Sequence, residues 1–72
     1  MAELPRCLGA EAIGVFERLG YRRVRQKGSH VFLKCSERTS ISVPLHKSLA
    51  KGTLRALIRD AGIMVEEFAA LL

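Results

Sequence analysis

The sequence predicts an α+β domain: a three-stranded antiparallel sheet with two helices on one face, in the order helix, three strands, helix, followed by a short C-terminal helix. Three observations predict it. Apolar residues recur at helical spacing near both ends of the chain, two central stretches alternate apolar and polar residues, and the connections between them are too short for parallel crossovers. Seventy-two residues make one domain, spanning 1–72, and a hydrophobic content of 49% supplies a packed core.

The first helix is read between about Gly9 and Leu19. Ala12, Ile13, Phe16 and Leu19 fall on one stripe, with Glu11, Glu17 and Arg18 elsewhere on the cylinder. Gly20 stands where a helix ends in left-handed backbone. Tyr21 to Lys27 is a basic strand with Arg23, Arg25 and Lys27 expected on one face, and Gly28-Ser29 is a turn. His30 to Cys35 alternates, placing Val31, Leu33 and Cys35 on one face and His30, Phe32 and Lys34 on the other. Ser36-Glu37-Arg38 reads as a polar connection. From Thr39, Ile41, Val43 and Leu45 share a face opposite Ser40 and Ser42, and Pro44 marks a strand end or a sheet edge. Leu54, Leu57, Ile58 and Ala61 form the second helical stripe, closed by Gly62. A last helix over about Val65 to Leu71 brings Phe68 and Leu71 to the core, with Glu66 and Glu67 in its first turn, where the helix dipole favours acids. Two helices on one face of a three-stranded sheet is an economical way to bury apolar faces in so short a chain. The order is the topology of the double-stranded RNA-binding domain.

Composition narrows the function. Twelve Lys and Arg against seven Asp and Glu give a net charge of +5, a balance that favours polyanionic partners through counterion release. Cys7 and Cys35 are too few for a disulfide framework, and with His30 and His46 they complete no zinc spacing, so no metal or cofactor is expected. The start, Met1 to Arg6, carries no apolar leader and no run is long enough to span a membrane, so a soluble cytoplasmic protein is expected.

Several segments carry a family resemblance. Leu19-Gly20-Tyr21 followed by Val24-Arg25-Gln26-Lys27-Gly28-Ser29-His30, then Val43-Pro44-Leu45-His46, Lys51-Gly52-Thr53-Leu54-Arg55, Asp60-Ala61-Gly62 and Glu66-Glu67-Phe68 stand in register with HicA toxins, from about Leu4 to the C-terminus. The chain therefore resembles the HicA family of bacterial toxin–antitoxin systems. The resemblance implies the double-stranded RNA-binding fold, cleavage of mRNA without a metal, and inhibition by a HicB antitoxin. It also implies a catalytic histidine in a Gly-x-His segment, here Gly28-Ser29-His30. Three positions depart from the family pattern: Met64 where Ser or Thr often caps the last helix, Lys51 where Pro is frequent, and Cys35 at the end of the second strand. The first should weaken its helix start by about 1 kcal/mol; none touches the chemistry.

The residue types suit that chemistry. RNA is cleaved without a metal when a base takes the proton from a 2′-hydroxyl and the oxygen attacks the adjacent phosphorus, a task for which imidazole is fitted. His30, just after the turn, is expected on the solvent side of its strand. Arg23, Arg25 and Lys27 form either a phosphate track or a solvated strand face, and Gly28 permits close approach of a backbone. Ser29, in the same turn, is expected to contact RNA with it. His46 serves as a second acid or base, an RNA contact or, as the favoured reading, a structural anchor. Lys47 and Lys51 lie at the start of the second long helix, where phosphate contact and plain solubility are both open. A His30–Cys35 dyad is set aside, because five positions apart on a strand they face opposite ways. The alternative function is a non-catalytic RNA-binding module of the same fold.

Overall fold

A computed structural model describes residues 4–72; residues 1–3, the beginning of the segment read as lacking a leader, lie outside the described residues. The elements follow the expected order: α1 (Gly9–Arg18), β1 (Arg22–Lys27), β2 (His30–Cys35), β3 (Arg38–Pro44), α2 (Lys51–Ala61) and α3 (Val65–Leu71). The strands form one antiparallel sheet in the order β1-β2-β3, so β1 and β3 are its edges and the Pro44 ring ends an edge strand.

The core lies between one face of the sheet and the helices. Val31 and Leu33 of β2 and Ile41 and Val43 of β3 meet Ala12, Ile13 and Phe16 of α1 and Leu54, Leu57 and Ile58 of α2, all buried. Phe16 holds the centre, edge-on to the Tyr21 ring at 5.8 Å and tilted against Phe68 at 5.6 Å, an arrangement that suits aromatic quadrupoles. Phe68 brings α3 onto the core, although Met64 caps that helix with no side-chain oxygen and only the Glu67 carboxylate receives the Met64 N–H, at 3.2 Å. Gly20 and Gly62 take positive φ of 108° and 76° at the ends of α1 and α2, as their positions after the apolar stripes predict.

Three boundaries differ from the sequence reading. Arg38 belongs to β3, not to the connection; it turns to the helical side, where its Nη1 donates to Ala61 O at 2.7 Å and satisfies a carbonyl at the end of α2. Leu45 lies beyond the end of β3 and is 39% exposed, because the strand stops at Pro44 before the alternation can carry Leu45 inward. The third is a β-bulge at Val24. Arg23 pairs with Leu33 and Arg25 with Phe32, so one extra residue of β1 stands between consecutive residues of β2. The bulge reverses the alternation: Arg23 shares the inner side with Leu33 while Arg25 and Lys27 share the outer side with Phe32 and His30. The three cations expected on one face are thereby split. Arg23 meets Glu17 of α1 at 3.5 Å instead.

Two buried titratable groups tie stability to pH. Burial, helped by the nearby Glu11 carboxylate, pushes the Cys7 thiol from 9.0 up to about 11. Burial also raises the Tyr21 hydroxyl, with Cys35 adding to the rise, Arg38 opposing it and Asp60 adding further; that hydroxyl donates to Thr39 O at 2.6 Å. Both groups hold their protons more tightly folded than unfolded, so their contribution is full below the unfolded values and is lost as pH rises through the folded ones. The urea midpoint should be level near neutrality and fall between pH 9.0 and about 11. A Cys7→Ala/Tyr21→Phe double variant, lower in absolute stability, should show a flatter decline; an equal decline in both proteins would remove these two groups as the cause.

Candidate active site

The β1–β2 hairpin sets the position of His30. Lys27 and His30 are direct partners across a two-residue turn in which Gly28 takes φ 59°, left-handed backbone of the kind II′ hairpin turns require at that position. Space beside Gly28 is open, so backbone conformation and not crowding demands the glycine. Gln26 Nε2 donates to Gly28 O at 3.1 Å and steadies the turn. His30 is exposed at the first position of β2, on the outer side of the sheet, and Lys27 beside it and Arg25 two residues on share that side. Cys35, half-buried at the far end of β2 and packed against the core, faces away from this group, as expected.

The segment after β3 is laced to this hairpin. Leu45 N–H donates to Ser29 O at 2.7 Å, and His46 O accepts from Gly9 N–H at the first position of α1, at 2.9 Å. His46 is tied to α1 through its backbone alone, and its side chain is left exposed. Gly9 makes this possible: a Cβ there would lie 2.1 Å from Pro44 O and 3.0 Å from Leu45 Cα. Sequence reading passed over Gly9. The available signal was a glycine inside the first turn of a helix, where nothing in the sequence requires one.

The remaining predicted residues lie elsewhere. Arg23 is on the helical side of the sheet. Lys51 is the first residue of α2 and Lys47 lies in the preceding bend, both exposed. Lys47 and Ser48 line a shallow cleft of about 280 Å³ with Arg6 and Glu11, and the Glu11 carboxylate, engaged with Leu8 N–H at 2.9 Å, makes that cleft a mixed-charge surface. Among the described residues no group of three or more His, Cys, Asp or Glu side chains is placed to hold a metal ion.

Charge is divided between the two layers. The strands contain Arg22, Arg23, Arg25, Lys27, Lys34 and Arg38 and no acid, whereas the helices mix Glu11, Glu17, Asp60, Glu66 and Glu67 with Arg18, Lys51, Arg55 and Arg59, and Glu37 is in the β2–β3 turn. An exposed imidazole beside a turn, on a cationic and acid-free face, is an arrangement able to receive a phosphodiester.

The family model described as HicA toxin of bacterial toxin–antitoxin matches residues 9–63. The chain belongs to the HicA toxin family. The match runs from the first residue of α1 to just past α2 and includes the whole sheet and His30, while α3 of this HicA chain lies beyond it. Membership makes the protein a toxin of a toxin–antitoxin system and implies an antitoxin as its partner. No curated protein matches this HicA chain at a significant level. Among the described residues none of its helices is long and apolar enough to cross a membrane.

Proposed function

We propose that this HicA-family toxin is a metal-independent endoribonuclease that cuts mRNA in the cytoplasm, with His30 as the catalytic base, and that a HicB-type antitoxin holds it inactive. The observation that carries the reading is the exposed His30 on an acid-free sheet face with Lys27 and Arg25. The His30 imidazole takes the proton of a ribose 2′-hydroxyl, the freed oxygen bonds to the adjacent phosphorus, and the bond from phosphorus to the 5′-oxygen breaks. That oxygen takes a proton from solvent water as it leaves, giving a 2′,3′-cyclic phosphate and a 5′-hydroxyl end. Lys27 and Arg25 meet the negative charge that grows on the phosphoryl oxygens. An antitoxin that inhibits by covering this face would present acidic groups to it.

The test is cleavage of an end-labelled RNA with and without EDTA, beside the same RNA carrying a 2′-deoxy sugar at the cleaved linkage. Cutting should persist in EDTA and stop at the deoxy position. Continued cutting there would rule out attack by the 2′-oxygen. Binding with a steep salt dependence and no cutting would assign the chain to the alternative, a non-catalytic RNA-binding module.

A further inference from the structure

The outer face of the sheet carries a feature that the proposed cleavage draws on only through Arg25. The bulge at Val24 turns both Val24 and Arg25 outward opposite Phe32. Val24 is 51% exposed, an apolar side chain in an otherwise cationic strand. The Arg25 guanidinium carbon lies 4.8 Å from the centroid of the Phe32 ring. Together with Lys34, Ser40 and Ser42 these residues line an open groove of about 530 Å³. Arg22 and Lys34 are direct cross-strand partners at its far end, two like charges facing each other with no acid in the strands, a pairing that costs stability until an anion comes between them.

We infer that this groove is a nucleobase subsite, in which a base of single-stranded RNA stacks on the Arg25–Phe32 platform while its phosphates run from Lys27 and His30 to Arg22 and Lys34. The inference deepens the nuclease reading and rests on it for the position of the scissile bond. Geometry supports the register: His30 and Phe32 are two residues apart on β2 and share its outer face, so the platform lies only about 7 Å along the strand from the imidazole. The chemistry selects the ligand. An acidic polypeptide would satisfy the cations and leave Val24 and Phe32 uncovered, whereas a nucleotide supplies an anion and a flat π-face together. Bases splayed from a single strand stack on aromatic rings and on guanidinium planes, and a duplex keeps its bases stacked among themselves. The substrate class is therefore single-stranded RNA, laid on the sheet.

Binding is measured by fluorescence anisotropy in a His30→Ala background, with a single-stranded RNA, the same RNA bearing one abasic nucleotide beside the cleaved linkage, the corresponding duplex, and polyglutamate. Phe32→Ala should weaken binding of the intact single strand roughly tenfold and leave the duplex unchanged. Phe32→Trp, which keeps a ring, should retain binding, and unchanged duplex binding by Phe32→Ala establishes that its loss on the single strand is not misfolding. The abasic RNA should lose as much affinity as Phe32→Ala does, with no further loss when the two are combined. Equal loss for single strand and duplex, or no effect of the abasic nucleotide, would overturn the subsite. Polyglutamate binding that depends on Phe32 while RNA binding does not would overturn it in favour of an acidic protein partner. Cleavage by the chain with native His30 is scored separately. If it is normal with Phe32→Ala and with abasic RNA, the subsite falls and the nuclease stands; if there is no cleavage but base-dependent binding persists, the nuclease falls and the base-stacking surface remains.

Discussion

Replacing His30 with alanine is expected to abolish RNA cleavage and to relieve growth arrest on induced expression, with the fold intact. A positioned acid or base contributes about 10²–10⁴ in rate, so the labelled-RNA assay should show a loss of at least a hundredfold. The side chain is exposed at a strand start. Its removal should therefore change stability by no more than about 0.5 kcal/mol. Paired thermal melts and cleavage rates check both halves. Full toxicity in a folded His30→Ala variant would remove the imidazole from the mechanism.

Gly9→Ala is expected to have the largest effect on stability of any single-methyl addition in the chain. The new carbon would meet Pro44 O at 2.1 Å, Leu45 Cα at 3.0 Å and His46 N at 3.1 Å, all backbone atoms that no rotamer change can withdraw. Relief requires α1 and the residues after β3 to separate, which also threatens the Gly9 N–H bond to His46 O. Overpacking of this kind costs about 1–3 kcal/mol or more, and in a domain of this size each kcal/mol lowers the melting temperature by about 4–8 °C. The helical preference of alanine over glycine, under about 1 kcal/mol, does not offset it. A melting temperature equal to or above that of the parent would refute the close approach. As a control, Gly14→Ala, on α1 where an added Cβ meets nothing within 4 Å, should leave the melt unchanged or raise it slightly.

The elements were legible because each carries its own period and its own stop. The stripe from Leu54 to Ala61 followed by Gly62, and the alternation from His30 to Cys35 after Gly28-Ser29, are local signals that tertiary packing here reinforces. His30 was placed correctly on the solvent side for the same reason. What could not be read was set by pairing across the sheet. Nothing in Arg22-Arg23-Val24-Arg25 announces that two of these residues will oppose one residue of β2, and a single bulge moves Arg23 to the other face. The union of Arg25 with Phe32 depends on the same slip. Gly9 stood out only as a glycine in the first turn of a helix, and its reason lies in Pro44, thirty-five positions away. The basic character of the chain was legible, but its separation by layer was not, since charges interleave along the sequence and sort only when the strands come together.

That sorting gives the molecule an electrical front and back. Arg22, Arg25, Lys27 and Lys34 share the imidazole's face with no strand acid beside them, whereas the helices mix five acids with four cations, so the positive pole of the field is the surface bearing the imidazole. A polyanion diffusing nearby is rotated toward that pole before any contact forms, so productive encounters outnumber those set by chance. Dissolved salt shortens the reach of this torque to about 10 Å at 0.1 M, without altering the proton transfer that follows capture.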